Sequence, residues 1–494
     1  MDERARDEAE DLYARPADAV EEAPKTLLGA LGRVGPGLVV AAAIVGTGEL
    51  IATTGLGAKA GFTLLWLILF SCVVKVFVQI ELGRYALTRG KTTLAAFDDM
   101  PGPRLGASWI CWLWLVMMLA TQAQIGAMEG LVGQAAHMAF PSASEAMAGA
   151  IGAIVPTWGE FFRSRHEYLW AALTTIAATA LLLSGGYKRL ERITTIMVAA
   201  VTLFTVAAVA VLQWTRFGFG WSEVASGFTF ALPVGAVGLA FSAFGITGVG
   251  ATELVAYPYW CIEKGYARSV GPRPAGGDDS AWVGRARGWT RVMQLDAWVS
   301  MAVFTIATVA FYMLGAAVLH PQGLHPEGSQ MLPILASMYL GPLEGTPLAP
   351  LRGGVRVAFL LGAWAVLFKT LYVATAANAR MSVDFLNVAG VWRPADDAAR
   401  VRAVKVFSVI YPAIALGLYY AVREPLGLVK AGGIAQGLML PLIAGSTIYL
   451  SRRDVDPRVA ASKLSGALTW LAFLAITAVA GYSVYDLARS MLES

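Results

Sequence analysis

Two stretches of this chain carry residue types that could do chemistry. Val45-Gly46-Thr47-Gly48-Glu49-Leu50-Ile51-Ala52 reappears, with small changes, as Val249-Gly250-Ala251-Thr252-Glu253-Leu254-Val255-Ala256. Each copy interrupts an apolar run with glycine and threonine and then plants a glutamate. An ionisable side chain at membrane depth costs about 2.5–3.5 kcal/mol or more, so it marks a functional site by default. Glycines let the backbone leave the helix, which frees carbonyls and amides to face a ligand. Thr47 and Thr252 add hydroxyl oxygens. Carboxylate, hydroxyl and carbonyl donors suit Mg²⁺, Ca²⁺ or Mn²⁺. The candidate binding set is therefore Glu49 and Glu253 as metal-bearing acids, with Gly46, Thr47, Gly250, Ala251 and Thr252 around them.

The elements that must position these residues are membrane spans. The 494 residues are 57% hydrophobic and only 15% charged, with mean hydropathy +0.59, whereas a soluble chain carries about 25% charge. At about 20 apolar residues per crossing, eleven spans are expected, near 34–57, 62–87, 108–134, 168–184, 193–214, 231–260, 292–318, 355–379, 404–421, 427–450 and 466–488. Turn-forming runs separate them, and the polar loop from Pro321 to Pro350 is long enough to cap a vestibule. Cys72, Cys111 and Cys261 show no metal-type spacing and imply no disulfide framework. Residues 1–25 are polar and acid-rich, lack a signal-type apolar core, and read as a disordered cytoplasmic tail. Of the 38 Lys and Arg, 27 fall in alternate loops on the side of the N-terminus. That asymmetry places the N-terminus inside and the C-terminus outside, in a bacterial-type inner membrane.

The broken spans are the first and the sixth. Repeats of five spans, 26–230 and 231–452, would be inverted relative to one another, because five is odd. The remaining 453–494 would add an eleventh span. Interrupted helices at corresponding positions of two inverted halves are the best sequence pointer to a transporter's midplane site.

Further motifs give a resemblance. Gly35-Pro36-Gly37, Gly46-Thr47-Gly48-Glu49, Gly61-Phe62-Thr63-Leu64-Leu65-Trp66, Gln79, Arg84 and Gly90-Lys91 resemble the N-terminal third of the Nramp divalent-metal transporters. Gly250-Ala251-Thr252 resembles that family's sixth span and Leu440-Pro441 its tenth. The resemblance implies an all-α integral membrane protein with eleven spans, a LeuT-type 5+5 inverted repeat, discontinuous helices 1 and 6, and metal transport coupled to protons. The departures fall at the chemistry. Gly46 stands where the family's metal-binding aspartate would be, and Glu49 stands at its asparagine. Leu254-Val255-Ala256 replaces the methionine-proline-histidine of the sixth span, so the soft thioether is missing. Gln124 and Ala127 occupy the places of the third-span acids, while Glu129 lies elsewhere. The family's tenth-span glutamine aligns near Gly433, with Gln436 one turn further on and added to the binding set.

Two ionised glutamates without a soft ligand favour a hard divalent cation such as Mg²⁺, keeping some of its waters. Lys75 and Lys369, mid-span, bear on that charge. One lysine reaching a glutamate would leave −1, suited to a monovalent or organic cation, and two would leave a neutral site. A structural ion pair and a role in coupling both remain open for them, and Glu129 is a further candidate for coupling or interhelical hydrogen bonding. Lys430, at the start of the tenth span, is expected to snorkel. Asp296 and Glu81 are expected to pair with nearby Lys or Arg. Three functions follow: a hard-divalent-cation transporter, the same fold carrying an organic cation or other small solute, and a non-transporting membrane sensor. No nucleophile–base pair, P-loop or cofactor fingerprint points to an enzyme. No cofactor, nucleic acid or obligate protein partner is expected, only the substrate and the lipid bilayer.

Overall fold

The computed structural model describes Tyr13, Arg15, Pro16 and residues 19–493, apart from Thr47, Gly277, 327–329, Thr346, Leu348 and 423–424. The apolar runs fold as helices because, without water, backbone N–H and C=O groups must find partners within the segment. Ten helical stretches among the described residues are long and apolar enough to cross a bilayer. The first of these, Gly48–Arg89, is 42 residues long, about twice what one crossing needs. It turns at Gly61, whose φ of 58° is readily adopted by glycine alone.

In chain order the principal helices are α1 (Pro36–Ile44), α2 (Thr54–Ala60, preceded by the π-helical turn Gly48–Thr53), α3 (Leu65–Arg89), α4 (Trp109–Ala139), α5 (His166–Ser184) and α6 (Tyr187–Leu212). Then come α7 (Val237–Ile246), α8 (Ala251–Glu263), α9 (Ser280–Leu314), α10 (Arg352–Val388), α11 (Asp397–Val422), α12 (Pro425–Asp454) and α13 (Lys463–Glu493). Shorter helical turns connect them. The only strands among the described residues, Arg104–Leu105 and Ala107–Ser108, pair antiparallel around Gly106 in a loop.

The core lies where α1, α3, α4, α7, α8, α9, α10 and α12 meet. Helix α8 buries every residue except Glu253. By contrast α6, α11 and α13 bury about a fifth of their apolar window and present the rest outward, as lipid-facing helices do. Helix α4 packs against α5, α10, α11 and α12, while α9 lies against α1 and α3. Small residues allow these approaches: a Cβ on Gly57 would lie 2.4 Å from the Tyr312 carbonyl.

Two expectations need correction. Among the described residues Asp296 pairs with no lysine or arginine. Its carboxylate accepts from the amides of Gly35 and Gly37, each at 2.7 Å, and from Tyr257 Oη at 3.0 Å. It thus caps the start of α1 from α9, and Pro36 leaves one fewer amide there to satisfy. Glu81 pairs with Arg84, as expected. The tail does not stay free of the bundle in its described part. Glu21 N–H donates to the Ser269 carbonyl, Trp289 Nε1 donates to the Glu21 carbonyl, and Tyr13 Oη donates to Glu263. Its polar groups find partners on α8, on α9 and on the short helix Tyr266–Val270, which polarity alone does not reveal. Residues 1–12 lie outside the described residues.

Candidate functional site

The two sequence copies sit at two helix breaks of matching design. Helix α1 stops at Ile44, and the chain resumes helical geometry at Gly48. Helix α7 stops at Ile246, and α8 begins at Ala251. Close approach favours glycine at both breaks, most strongly at Gly46, where the short Thr370 side chain leaves little room to give. A Cβ on Gly46 would lie 2.1 Å from Thr370 Oγ1 of α10, and one on Gly250 would lie 2.5 Å from Glu253 Oε2 and 2.8 Å from Gln436 Oε1. Gly250 is the N-cap of α8, which puts Glu253 at the third helical position. A carboxylate there lies beside free amides and the positive end of the helix dipole.

The two acids then diverge. Glu49 is fully buried and folded back on its own break. Its Oε2 accepts from Gly46 N–H at 3.3 Å and its Oε1 from Thr308 Oγ1 of α9 at 3.1 Å. The Glu49 carbonyl also accepts from Thr54 Oγ1. Glu253 instead lines a cavity of about 40 Å³, room for roughly three water-sized occupants. Gly48, Thr121, Gln124, Met128, Thr252, Thr370, Asn378 and Gln436 share the wall with apolar neighbours.

The polar wall is partly wired and partly open. Gln436 Oε1 accepts from Thr252 N–H at 3.1 Å, and its Nε2 donates to Gln124 Oε1 at 2.9 Å. Gln124 Nε2 in turn donates to the Val429 carbonyl at 3.4 Å. Thr252 Oγ1 and Asn378 Oδ1, both on buried residues, have no hydrogen-bond partner among the described residues. Unsatisfied buried oxygens are costly, and here they border the same cavity as a carboxylate. One carboxylate, a hydroxyl and an amide oxygen are hard donors; Met128 adds a thioether from α4. No group of three His, Cys, Asp or Glu suited to a metal exists among the described residues.

Of the expected binding set, Glu253, Thr252 and Gln436 line the cavity, with Gly250 immediately beneath. Glu49, Gly46 and Ala251 are buried beside the breaks and do not line it. Thr47 lies outside the described residues. Neither Lys75 nor Lys369 forms an ion pair among the described residues; both are buried, and their ammonium groups hydrogen-bond to backbone carbonyls. Glu129 is buried on α4, accepts from Thr175 Oγ1 at 3.0 Å, and stands apart from the cavity. Asn378, Thr370 and Met128 escaped sequence reasoning. Asn378 is an amide at the end of the apolar span 355–379, inside the helix Arg352–Val388, which was the available signal; a lone Met or Thr carries none.

A second cavity, of about 430 Å³, is bordered by Gly55, Lys59, His325, Pro326 and Lys430. His325 and Pro326 are the residues of the loop after Pro321 on that border, and Lys430 lies on it as well.

A helical membrane bundle with two interrupted helices around a small polar cavity has the architecture of a secondary transporter. The profile of the Nramp family (natural resistance-associated macrophage protein-like) matches residues 37–486, and the chain belongs to that family. It is a membrane transporter by family and not an enzyme. Comparison with curated protein sequences gives no significant match. Among solved structures, a mutant of the Eremococcus coleocola manganese transporter is 15% identical, with 95% of this chain and 89% of that one covered and a TM-score of 0.63. The same transporter with an aromatic bis-isothiourea substituted compound gives 14%, 95%, 98% and 0.60. MhsT in complex with L-phenylalanine gives 16%, 93%, 100% and 0.55. At these identities the likeness is one of fold, and the fold is LeuT-like.

Proposed function

We propose that this protein is a secondary transporter of a divalent, hard cation of the Mg²⁺ or Mn²⁺ type, bound in the cavity that Glu253 lines. The observation that carries the reading is the donor set: a carboxylate beside two unpartnered buried oxygens, Thr252 Oγ1 and Asn378 Oδ1, in one small cavity. Mg²⁺ keeps several waters and is bound through one or two carboxylates, which suits a wall with a single acid among its described residues. The size supports the same choice. About 40 Å³ admits an ion with a few waters, whereas an organic cation larger than about three heavy atoms would need the wall to move. The manganese transporter among the structural relatives is consistent with this substrate class. Met128 softens the preference for the hardest ions.

The same reading assigns eleven spans, with Gly48–Arg89 split at Gly61 into the end of span 1 and the whole of span 2. Helices α1 and α7 are then the first halves of discontinuous spans 1 and 6, repeats 26–230 and 231–452 are mutually inverted, and 453–494 is the added span. The N-terminus is cytoplasmic and the C-terminus external, by the distribution of Lys and Arg, in a bacterial-type inner membrane. Glu49 contributes by shaping the first break rather than by ligation.

The test is uptake of Mg²⁺ and Mn²⁺ into proteoliposomes, with short alkylamines as competitors. Concentrative uptake of a divalent cation, lost in Glu253→Gln and unaffected by amines, is expected. Uptake that survives Glu253→Gln, or amine displacement at equal concentration, would refute the assignment.

A further inference from the structure

Cations are attracted to the C-terminal end of a helix, where carbonyls lack intrahelical partners. In transporters with interrupted helices, such ends coordinate the coupling ion. Both interrupted helices here have that end occupied by a lysine from another helix. Lys369 of α10 donates to the carbonyls of Ala42 (2.6 Å) and Val45, the last turn and C-cap of α1. Lys75 of α3 donates to the carbonyls of Phe244 and Thr247 (2.6 Å), the last turn and C-cap of α7.

The two arrangements match in detail. Each ammonium bridges carbonyls three residues apart, and in each the second carbonyl belongs to the residue that ends the helix. A hydroxyl from the lysine's own helix joins it. Ser71 Oγ donates to the Thr247 carbonyl at 2.9 Å, and Thr370 Oγ1 reaches the Ala42 carbonyl at 3.5 Å. Lys75 also lies 4.7 Å from the centre of the Phe244 ring, a cation–π contact. Both lysines are fully buried and neither pairs with an acid among the described residues. A structural salt bridge therefore does not account for them; the carbonyls do.

We propose that Lys75 and Lys369 are resident cations, each filling the monovalent-cation position at the end of one interrupted helix, so that this transporter works without sodium. The ammonium supplies the charge and the donors that a bound ion would otherwise bring. Each lysine is a positioning residue: it holds the C-terminal end of its half-helix together and touches no substrate. The stability arm of the test is independent of the metal-transport reading; only the flux arm rests on it.

The experiment is thermal unfolding of the purified full-length protein in detergent, in matched sodium chloride and choline chloride series. The wild type is expected to unfold at the same temperature in both salts. Lys75→Ala and Lys369→Ala are expected to unfold at lower temperature in choline and to recover part of the loss with sodium or ethylammonium, in a saturable manner. Recovery by a specific small cation is what a merely structural lysine would not show. Sodium-dependent stability of the wild type would overturn the proposal, as would alanine variants that no small cation restores. Should the alanine variants fail to fold, Lys75→Met and Lys369→Met keep the bulk without the charge and leave no room for a cation: they are expected to unfold below the wild type with no recovery in any salt, and methionine variants as stable as the wild type would overturn the proposal. Divalent uptake by the wild type in choline-based buffer should equal uptake in sodium-based buffer. Unequal rates would refute sodium independence, whereas no uptake in either salt would count against the transport reading alone.

Discussion

Replacing Glu253 by glutamine separates the two acids, which look equivalent in sequence. The change keeps the shape of the side chain and removes the only charge among the described residues of the cavity wall. Two unit charges 4 Å apart interact by about 4 kcal/mol at an effective dielectric constant of 20. A divalent ion doubles that, and the glutamine carbonyl with retained waters returns part of it. A net loss of about 3–4 kcal/mol corresponds to roughly a 100- to 1,000-fold weaker Kd. Glu49→Gln should behave in the opposite way. Its side chain does not reach the cavity, so affinity should stay within about tenfold of wild type (1.4 kcal/mol). It does accept from Gly46 N–H on one oxygen and from Thr308 Oγ1 on the other; a glutamine that keeps the first turns its NH2 to Thr308, whose hydroxyl proton loses its acceptor. Leaving a buried donor unmet costs about 1–3 kcal/mol of stability. Isothermal titration with Mn²⁺ or Mg²⁺, paired with thermal unfolding, reads both quantities. A Glu49→Gln variant that keeps its stability yet loses binding as fully as Glu253→Gln would refute the division of roles.

Other perturbations test the surroundings. Asn378→Leu fills the cavity wall and removes an unpartnered oxygen, so divalent affinity should fall about tenfold or more, as expected for a lost hydrogen bond to a charged group; titration checks it. Gly46→Ala should abolish uptake, because the new Cβ would meet Thr370 Oγ1, and adding Thr370→Ala should restore part of it, which a double-mutant cycle measures. Asp296→Ala uncaps α1 and strands two amides, costing about 2–5 kcal/mol of stability, read by unfolding in detergent. At the loop ends, Arg458 bridges Asp279 and Asp456 and its hydrogen bonds hold both carboxyls down to about 2. Because those carboxyls ionise more readily when folded, the cluster's contribution is present above about pH 4 and fades as pH falls toward 2. The unfolding difference between wild type and Arg458→Met should therefore shrink over that range, and it should be small throughout, since exposed pairs are screened.

Much of the fold was legible because the bilayer leaves the backbone few choices. Apolar runs of sufficient length must be helices, and glycine with threonine inside two of them marks where the helices stop. The breaks after Ile44 and Ile246 follow from that, as does the position of each glutamate just after a break. What the sequence withheld depends on rotation about the helix axes and on partners far away in the chain. Glu49 and Glu253 share a local motif, yet Thr308 of α9 takes up the first, while Gln436 beneath Gly250 leaves the second at the wall. The lysines were legible as buried charges, but their acceptors are carbonyls, which no residue type announces. Asn378 and Met128 enter the cavity only because α4 and α10 pack beside the breaks.

The most direct test is where a scattering ion binds. Crystals of the wild type soaked in Mn²⁺ should give an anomalous peak within coordination distance of the Glu253 carboxylate, with Asn378 or Thr252 as a neighbour. A peak at Glu49 with none at Glu253, or full divalent binding in solution with no peak in this cavity, would contradict the account.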